Sequence, residues 1–221
     1  MGRTLFITAT DTGAGKSFVT ANLIRLLRER GISASAIKPV ASGVTADGIN
    51  EDVALLLASQ NLSDVDKVNL YSFSLPASPN IAAQAEERFI EPEKLVAWCN
   101  QQAAEVDLCL IEGVGGLMVP LNDIYRVSDW ITEMQGCEVM LIVGARLGCI
   151  NHTLLTLEQF KQIGVTPAYI VINALDDSDI AEQTTRSLQP WLPAETTLFQ
   201  LPFAAQESAF LPVTEAILAN A

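Results

Sequence analysis

Two lysines, two carboxylates and a glycine-bearing turn are the residues of this chain best suited to chemistry. Thr10-Asp11-Thr12-Gly13-Ala14-Gly15-Lys16-Ser17 lies between an apolar, strand-like run and an amphipathic, helix-like one. In that setting backbone N–H groups cradle phosphates, the lysine brings a point charge to the β- and γ-phosphates, and the hydroxyl after it can hold Mg2+. The common form of such a loop has glycine six positions before the lysine, where this chain has Thr10. Lys38-Pro39-Val40-Ala41-Ser42-Gly43 follows a second strand-like run. A lysine closing a strand at the carboxyl edge of an open α/β sheet points into the crevice that binds ligands, although a lone lysine there is also an ordinary solvated strand end. Glu112-Gly113-Val114-Gly115-Gly116 is expected to end a third strand, where a carboxylate beside closely approaching backbone suits a metal ion next to nucleotide phosphates. Asp52 is a second carboxylate candidate, or else an acid that stabilises a helix N-terminus. In Gly148-Cys149-Ile150-Asn151-His152, Asn151 reads as a helix N-cap, and the same free N–H groups can bind a substrate carboxylate. His152, the sole histidine, reads as structural.

The elements that must position these residues follow from periodicity. Thr4–Ala9, Ser33–Lys38, Asp107–Ile111, Glu138–Val143, Ala168–Asn173 and Thr197–Leu201 read as strands, several of them apolar enough to be covered on both faces. Helical patterns fall at Lys16–Glu29, Asp52–Ser59, Pro92–Glu105, Val127–Gln135, His152–Ile163 and Ser178–Leu188. Lys67–Phe89, with Pro76 and Pro79, reads as an irregular loop region over one end of the sheet. The alternation predicts an α/β fold, a parallel sheet with helices on both faces, in one domain spanning residues 1–221.

Composition narrows the function classes. Thirteen Lys and Arg against 26 Asp and Glu give a net charge of −13, which disfavours nucleic acid and anionic membranes as partners. Four scattered cysteines without a Cys-x-x-Cys spacing, and one histidine, argue against a zinc site or a disulfide framework. The apolar run Val139–Val143 is far too short to span a bilayer, and the N-terminus has no signal-peptide pattern, so the expected location is the cytoplasm. Charged residues make up 18%, below the roughly 25% usual for soluble domains, which favours a subunit interface.

Asp11 narrows the class of phosphate loop. Partitioning and septum-placing ATPases with a related loop have a second lysine five residues before the catalytic one, and an acid there cannot stabilise a partner's phosphates. With the loop, Lys38-Pro39-Val40-Ala41-Ser42-Gly43, Glu112-Gly113, Gly115-Gly116 and Gly148-Cys149-Ile150-Asn151-His152 assembled, the chain resembles the dethiobiotin synthetase family over roughly residues 4 to 205. The resemblance implies a P-loop NTPase-like fold and a cyclo-ligase of biotin synthesis. In that reaction 7,8-diaminononanoate (diaminopelargonate) takes up CO2 as a carbamate, ATP phosphorylates it to a carbamic-phosphoric anhydride, and the second amine closes the cyclic urea of dethiobiotin, releasing ADP and phosphate.

The resemblance also implies residue roles. Lys16 and Lys38 are the catalytic cations, and Ser17, Asp52 and Glu112 surround Mg2+. Gly13, Ala14, Gly15, Lys16, Ser17 and Phe18, with Asp52 and the stretch Glu112, Gly113, Val114 and Gly115, hold ATP. Asn173 faces the adenine, and Pro202, Phe203 and Ala204 line its pocket. Thr12, Lys38 and Ser42 contact the carbamate end of the substrate, and Gly148, Cys149, Ile150 and Asn151 of the partner subunit in a homodimer hold its carboxylate. The chain departs from the family pattern at Ala9, usually glycine, at Ala174, often aspartate, and at Phe203, frequently tryptophan. An amidoligase of cobyrinate type would need an added glutaminase domain, for which 221 residues leave no room. A nucleotide-hydrolysing switch that binds a partner protein would have no use for the block around Lys38.

Overall fold

The computed structural model describes residues 2–45, 48–176 and 178–219. Six strands form a parallel sheet: β1 (Arg3–Ala9), β2 (Ala34–Ile37), β5 (Leu108–Gly116), β6 (Glu138–Ala145), β7 (Tyr169–Ala174) and β8 (Thr197–Leu201), in the spatial order β2-β5-β1-β6-β7-β8. Helices α1 (Lys16–Glu29), α2 (Glu51–Ser59) and α8 (Leu211–Ala219) cover one face. Helices α4 (Pro92–Ala104), α5 (Val127–Glu133), α6 (Cys149–Gln162) and α7 (Ser178–Leu188) cover the other.

Successive side chains of a strand point to opposite faces, so each central strand feeds two cores. In β1, Phe6 joins the core under α4–α7, while Leu5, Ile7 and Ala9 join the core under α1, α2 and α8. In β6, Val139, Leu141 and Val143 face one way and Met140 and Ile142 the other. This two-sided burial is why these strands read as continuous apolar runs instead of alternating ones. Phe6 and Trp130 meet edge to face at 4.7 Å under α5.

The connection leaving β1 crosses one face and that leaving β5 the other, so a crevice opens between the carboxyl ends of these adjacent strands. Both sequence blocks richest in glycine end there.

Three expectations are corrected. Residues 67–89 are not merely irregular: Tyr71–Phe73 forms β4, which pairs in parallel with β3 (Val40–Ser42), and Pro79–Ala85 forms the short helix α3. Strand β5 does not stop at Ile111 but runs on through Glu112 to Gly116, with a register shift against β1 between Ile7 and Ala9. Helix α6 starts at Cys149 with Gly148 as its N-cap, so Asn151 lies inside the first turn and is not the cap. Among the described residues, no helix is long and apolar enough to cross a membrane.

Candidate active site

The turn after β1 passes directly into α1, and Gly15 is the N-cap in the left-handed region, with φ of 94°. A Cβ at Gly15 would lie 2.2 Å from the Asn173 amide nitrogen, so only glycine lets the loop lie this close to β7. The Asn173 amide donates to the Ala14 carbonyl at 3.0 Å and ties the loop down from behind.

A cleft of about 780 Å3 lies over the carboxyl ends of β1, β2 and β5. Its wall includes Thr12, Gly13, Gly15, Lys16, Ser17, Phe18, Lys38, Ser42, Asp52, Val114 and Gly115, all of them expected from the sequence. The Lys38 ammonium at its floor is 3% exposed as a residue and is held by three acceptors. It donates to Glu112 Oε1 at 2.6 Å and to the Gly113 carbonyl at 3.1 Å, and lies 3.1 Å from Asp52 Oδ2. The Ser17 hydroxyl donates to the same Glu112 oxygen at 2.6 Å. The Lys16 ammonium folds back onto the Gly115 carbonyl at 2.9 Å.

Burial sets the charges here. It pushes the Lys16 ammonium down to about 8, with Lys38 adding to the effect and Glu112, Asp52 and Asp11 opposing it. Burial works against the Lys38 charge as well, but Glu112 and Asp52 outweigh it and hold its pKa above the ordinary lysine value. Burial would raise the Asp52 carboxyl, yet Lys38 and Ser17 hold it below the ordinary aspartate value. Asp52 lies in the first turn of α2, as the helix-terminus reading has it, and also faces the cleft lysine.

Glu112 is fully buried, and its Oε2 has no hydrogen-bond partner among the described residues. A buried, unpaired carboxylate oxygen is costly unless a cation or proton completes it. Glu112, Asp52 and Ser17 offer only oxygen, the donor type a hard divalent cation prefers. Among the described residues, no group of three His, Cys, Asp or Glu gathers as a metal cage. A cation here would draw most of its ligands from phosphates and water, the usual arrangement for Mg2+.

Some contributors were not anticipated. Asn50 caps α2 by accepting from Asp52 and Val53, and its amide reaches the Ser42 and Gly43 carbonyls at 2.9 and 3.1 Å. One side chain thus fixes Asp52 relative to Ser42; an asparagine just before Glu51-Asp52 is a readable cap signal. Pro76, Ala77, Ser78 and Pro79 form the facing wall, with the Ser42 hydroxyl donating to Ala77 at 2.8 Å. The two prolines signalled a turn in the sequence, but not which crevice it overhangs.

Asn173 is paired in register with Leu201, so Pro202, Phe203 and Ala204 come just after the end of the neighbouring strand β8, outside the main cleft. Gly148, Cys149, Ile150 and Asn151 do not line the cleft of their own chain. The Cys149 side chain is buried against Thr184, and its N–H donates to the Arg146 carbonyl. The N–H groups of Ile150 and Asn151 remain without a partner among the described residues at the start of α6.

Fold and cleft together define a P-loop nucleotide-binding α/β protein. Residues 3–206 match the family described as AAA domain. The fold is shared with the cell division ATPase MinD of Pyrococcus furiosus, at 20% identity and a TM-score of 0.61 over 100% of both chains. The chain is 40% identical over 178 residues to ATP-dependent dethiobiotin synthetase BioD of Aromatoleum aromaticum, covering 79% of each. It is 37% identical over 197 residues to the enzyme of that name in Cellvibrio japonicus, covering 87% of this chain and 86% of the relative. The chain belongs to the ATP-dependent dethiobiotin synthetase family.

Proposed function

We propose that this cleft carries out the family's reaction through the residues just described. The chain is an ATP-dependent ligase of biotin synthesis, which joins 7,8-diaminononanoate and CO2 into dethiobiotin with release of ADP and phosphate. The observation that carries the assignment of roles is the Lys38 ammonium, held at the cleft floor by Glu112 and Asp52, with β5 between its own strand and the one that leads into the phosphate loop.

An anionic carbamate attacking an anionic γ-phosphate meets strong repulsion, which fixed positive charge must offset. Lys16 leaves the Gly115 carbonyl for the β- and γ-phosphates, and loop N–H groups from Gly13 to Ser17 orient them, with Phe18 beside them. Lys38 holds the carbamate oxygens, while Thr12 and Ser42 position the carbamate end of the substrate. Ser17, Asp52 and Glu112 would hold Mg2+, which would supply charge to neutralise the phosphates. Gly113, Val114 and Gly115 bring backbone close to the nucleotide. The Asn173 carboxamide and the segment Pro202, Phe203 and Ala204 receive the base. Lys16 and Lys38 remain on the phosphorylated carbamate while the second amine attacks its carbon and phosphate leaves.

The substrate carboxylate is held by the first turn of α6 of a second copy, through the N–H groups of Ile150 and Asn151 beside Gly148 and Cys149. What supports this is that these donors lie outside their own cleft, while Leu147 and Ile150 beside them are exposed. The enzyme works as a cytoplasmic homodimer on small molecules, not on nucleic acid or a membrane; its four free cysteines suit a reducing compartment. The test is ADP release with and without diaminopelargonate and bicarbonate. Turnover should need both, and release that ignores them would favour a nucleotide switch.

A further inference from the structure

Asp11 has no part in the chemistry above, yet it joins two functional segments. Its Oδ1 accepts from the Thr12 backbone N–H at 2.7 Å, and its Oδ2 pairs with the Arg146 guanidinium. Arg146 follows β6 directly, and its carbonyl accepts the Cys149 N–H at 3.0 Å, closing the turn that opens α6. The phosphate loop also meets strand β6, just before that turn, through backbone. Thr10 donates to the Ile142 carbonyl at 3.0 Å, and a Cβ at Gly144 would stand 3.0 Å from the Ala14 Cα. One carboxylate therefore ties Thr12, at the reacting end of one cleft, to the turn bearing the Ile150 and Asn151 N–H groups.

We infer that Asp11 and Arg146 are positioning residues forming a latch, through which nucleotide bound to one subunit tightens the grip of its α6 turn on the substrate carboxylate in the neighbouring site. This rests on the shared site proposed above. Phosphates fix the loop N–H groups around them, which fixes the start of the loop and the Asp11 carboxylate with it. Arg146 then has one partner position instead of several, and so does the turn it closes. The two side chains are 44% and 45% exposed, and an exposed pair contributes little by itself in water. The linkage expected is therefore at the low end for coupled sites, about fivefold. Linkage is reciprocal, so substrate tightens nucleotide by the same factor.

A simpler role would be charge cancellation, with Arg146 neutralising an acid that faces incoming phosphates. The two roles differ for Asp11→Asn, which disables a latch but relieves a repulsion. The experiment titrates diaminopelargonate calorimetrically into the full-length enzyme, with and without a non-hydrolysable ATP analogue. It compares the wild type with Asp11→Asn, Arg146→Ala, Arg146→Lys and the Asp11→Asn/Arg146→Ala double variant. The analogue should tighten diamine binding about fivefold in the wild type. The two single variants and the double variant should lose this effect equally, and Arg146→Lys should keep part of it. Affinity for the analogue alone should stay within about twofold throughout, the shift expected of an exposed pair. Additive losses in the double variant, or no tightening in the wild type, would overturn the latch. So would Arg146→Ala weakening the analogue while Asp11→Asn does not, which is the signature of charge cancellation. Diamine-dependent ADP release in the same preparation separates failure of the latch from failure of the functional reading; without that dependence both fall.

Discussion

Lys16 and Lys38 line the same cleft but answer to different neighbours. Among the described residues, buried Lys16 has only the Gly115 carbonyl to hold, whereas Lys38 has two carboxylates. Lys16→Ala should cost about 3–4 kcal/mol of transition-state stabilisation, a few hundred-fold in rate, with folding intact. Retention of more than about a tenth of wild-type turnover would remove it from the mechanism. Its depressed pKa of about 8 adds a pH signature. Phosphates raise that pKa, so above pH 8 a neutral Lys16 must take up a proton for nucleotide to bind. Affinity should fall by up to about tenfold per pH unit as pH rises above 8, because each unit of free-state deprotonation must be reversed. Calorimetry at pH 9 in two buffers of different ionisation enthalpy measures the uptake, and identical heats would exclude it. Lys38, held protonated by Glu112 and Asp52, contributes no such step. Lys38→Ala should collapse kcat while ATP affinity stays nearly unchanged. It also strands the buried Glu112 carboxylate, at about 3–5 kcal/mol of folding stability. Rate and melting must therefore be measured together, and equal losses in ATP binding and rate would contradict its placement at the carbamate.

The phosphate loop works as an element because its backbone runs where a side chain would not fit. Gly13 and Gly15 both have positive φ, of 74° and 94°. A Cβ at Gly13 would meet nothing within 4 Å, while one at Gly15 would collide with Asn173. Gly13→Ala should therefore cost only the strain of a left-handed non-glycine residue, about 1–2 kcal/mol. Gly15→Ala carries that strain and breaks the Asn173–Ala14 hydrogen bond too, so its nucleotide affinity should fall further. In an Asn173→Ala background, which removes the clash and the base contact alike, Gly15→Ala should lower nucleotide affinity no further than Gly13→Ala does. Equal nucleotide affinities for Gly13→Ala and Gly15→Ala would show that Asn173 does not brace the loop.

Whole-molecule behaviour turns on where the carboxylate grip lies. The α6 turn is on the carboxyl side of the sheet but outside its own cleft, so a shared site needs two copies. Lys16→Ala and Gly148→Trp variants should each be inactive and should complement on co-expression. With random pairing, half the dimers are mixed and each has one intact site, so activity should return to about a quarter of wild type. Isolated mixed dimers that stay dead would place both elements in one subunit's site.

Much of this architecture was legible from local pattern. Lys16–Glu29 has the bounds that periodicity gives it, since a helix face repeats over enough residues to be read, and the edge strand Thr197–Leu201 coincides with its short apolar run. The Gly-Lys-Ser turn, the Lys38 block and the α6 block carried the family likeness in residue identity alone. The three-residue strands β3 and β4 were not legible, because three residues are too few to show a period and their pairing is non-local. Nor was the Lys38–Glu112 pair, 74 positions apart in the chain. Only the strand order β2-β5-β1 sets those two side chains at one crevice, where low exposure turns an ordinary lysine and glutamate into a buried ion pair with one oxygen left over. Asp11 and Arg146 meet across 135 positions for the same kind of reason: β1 and β6 are neighbours in the sheet, and hydrogen-bonding register, not sequence distance, decides which loop ends touch.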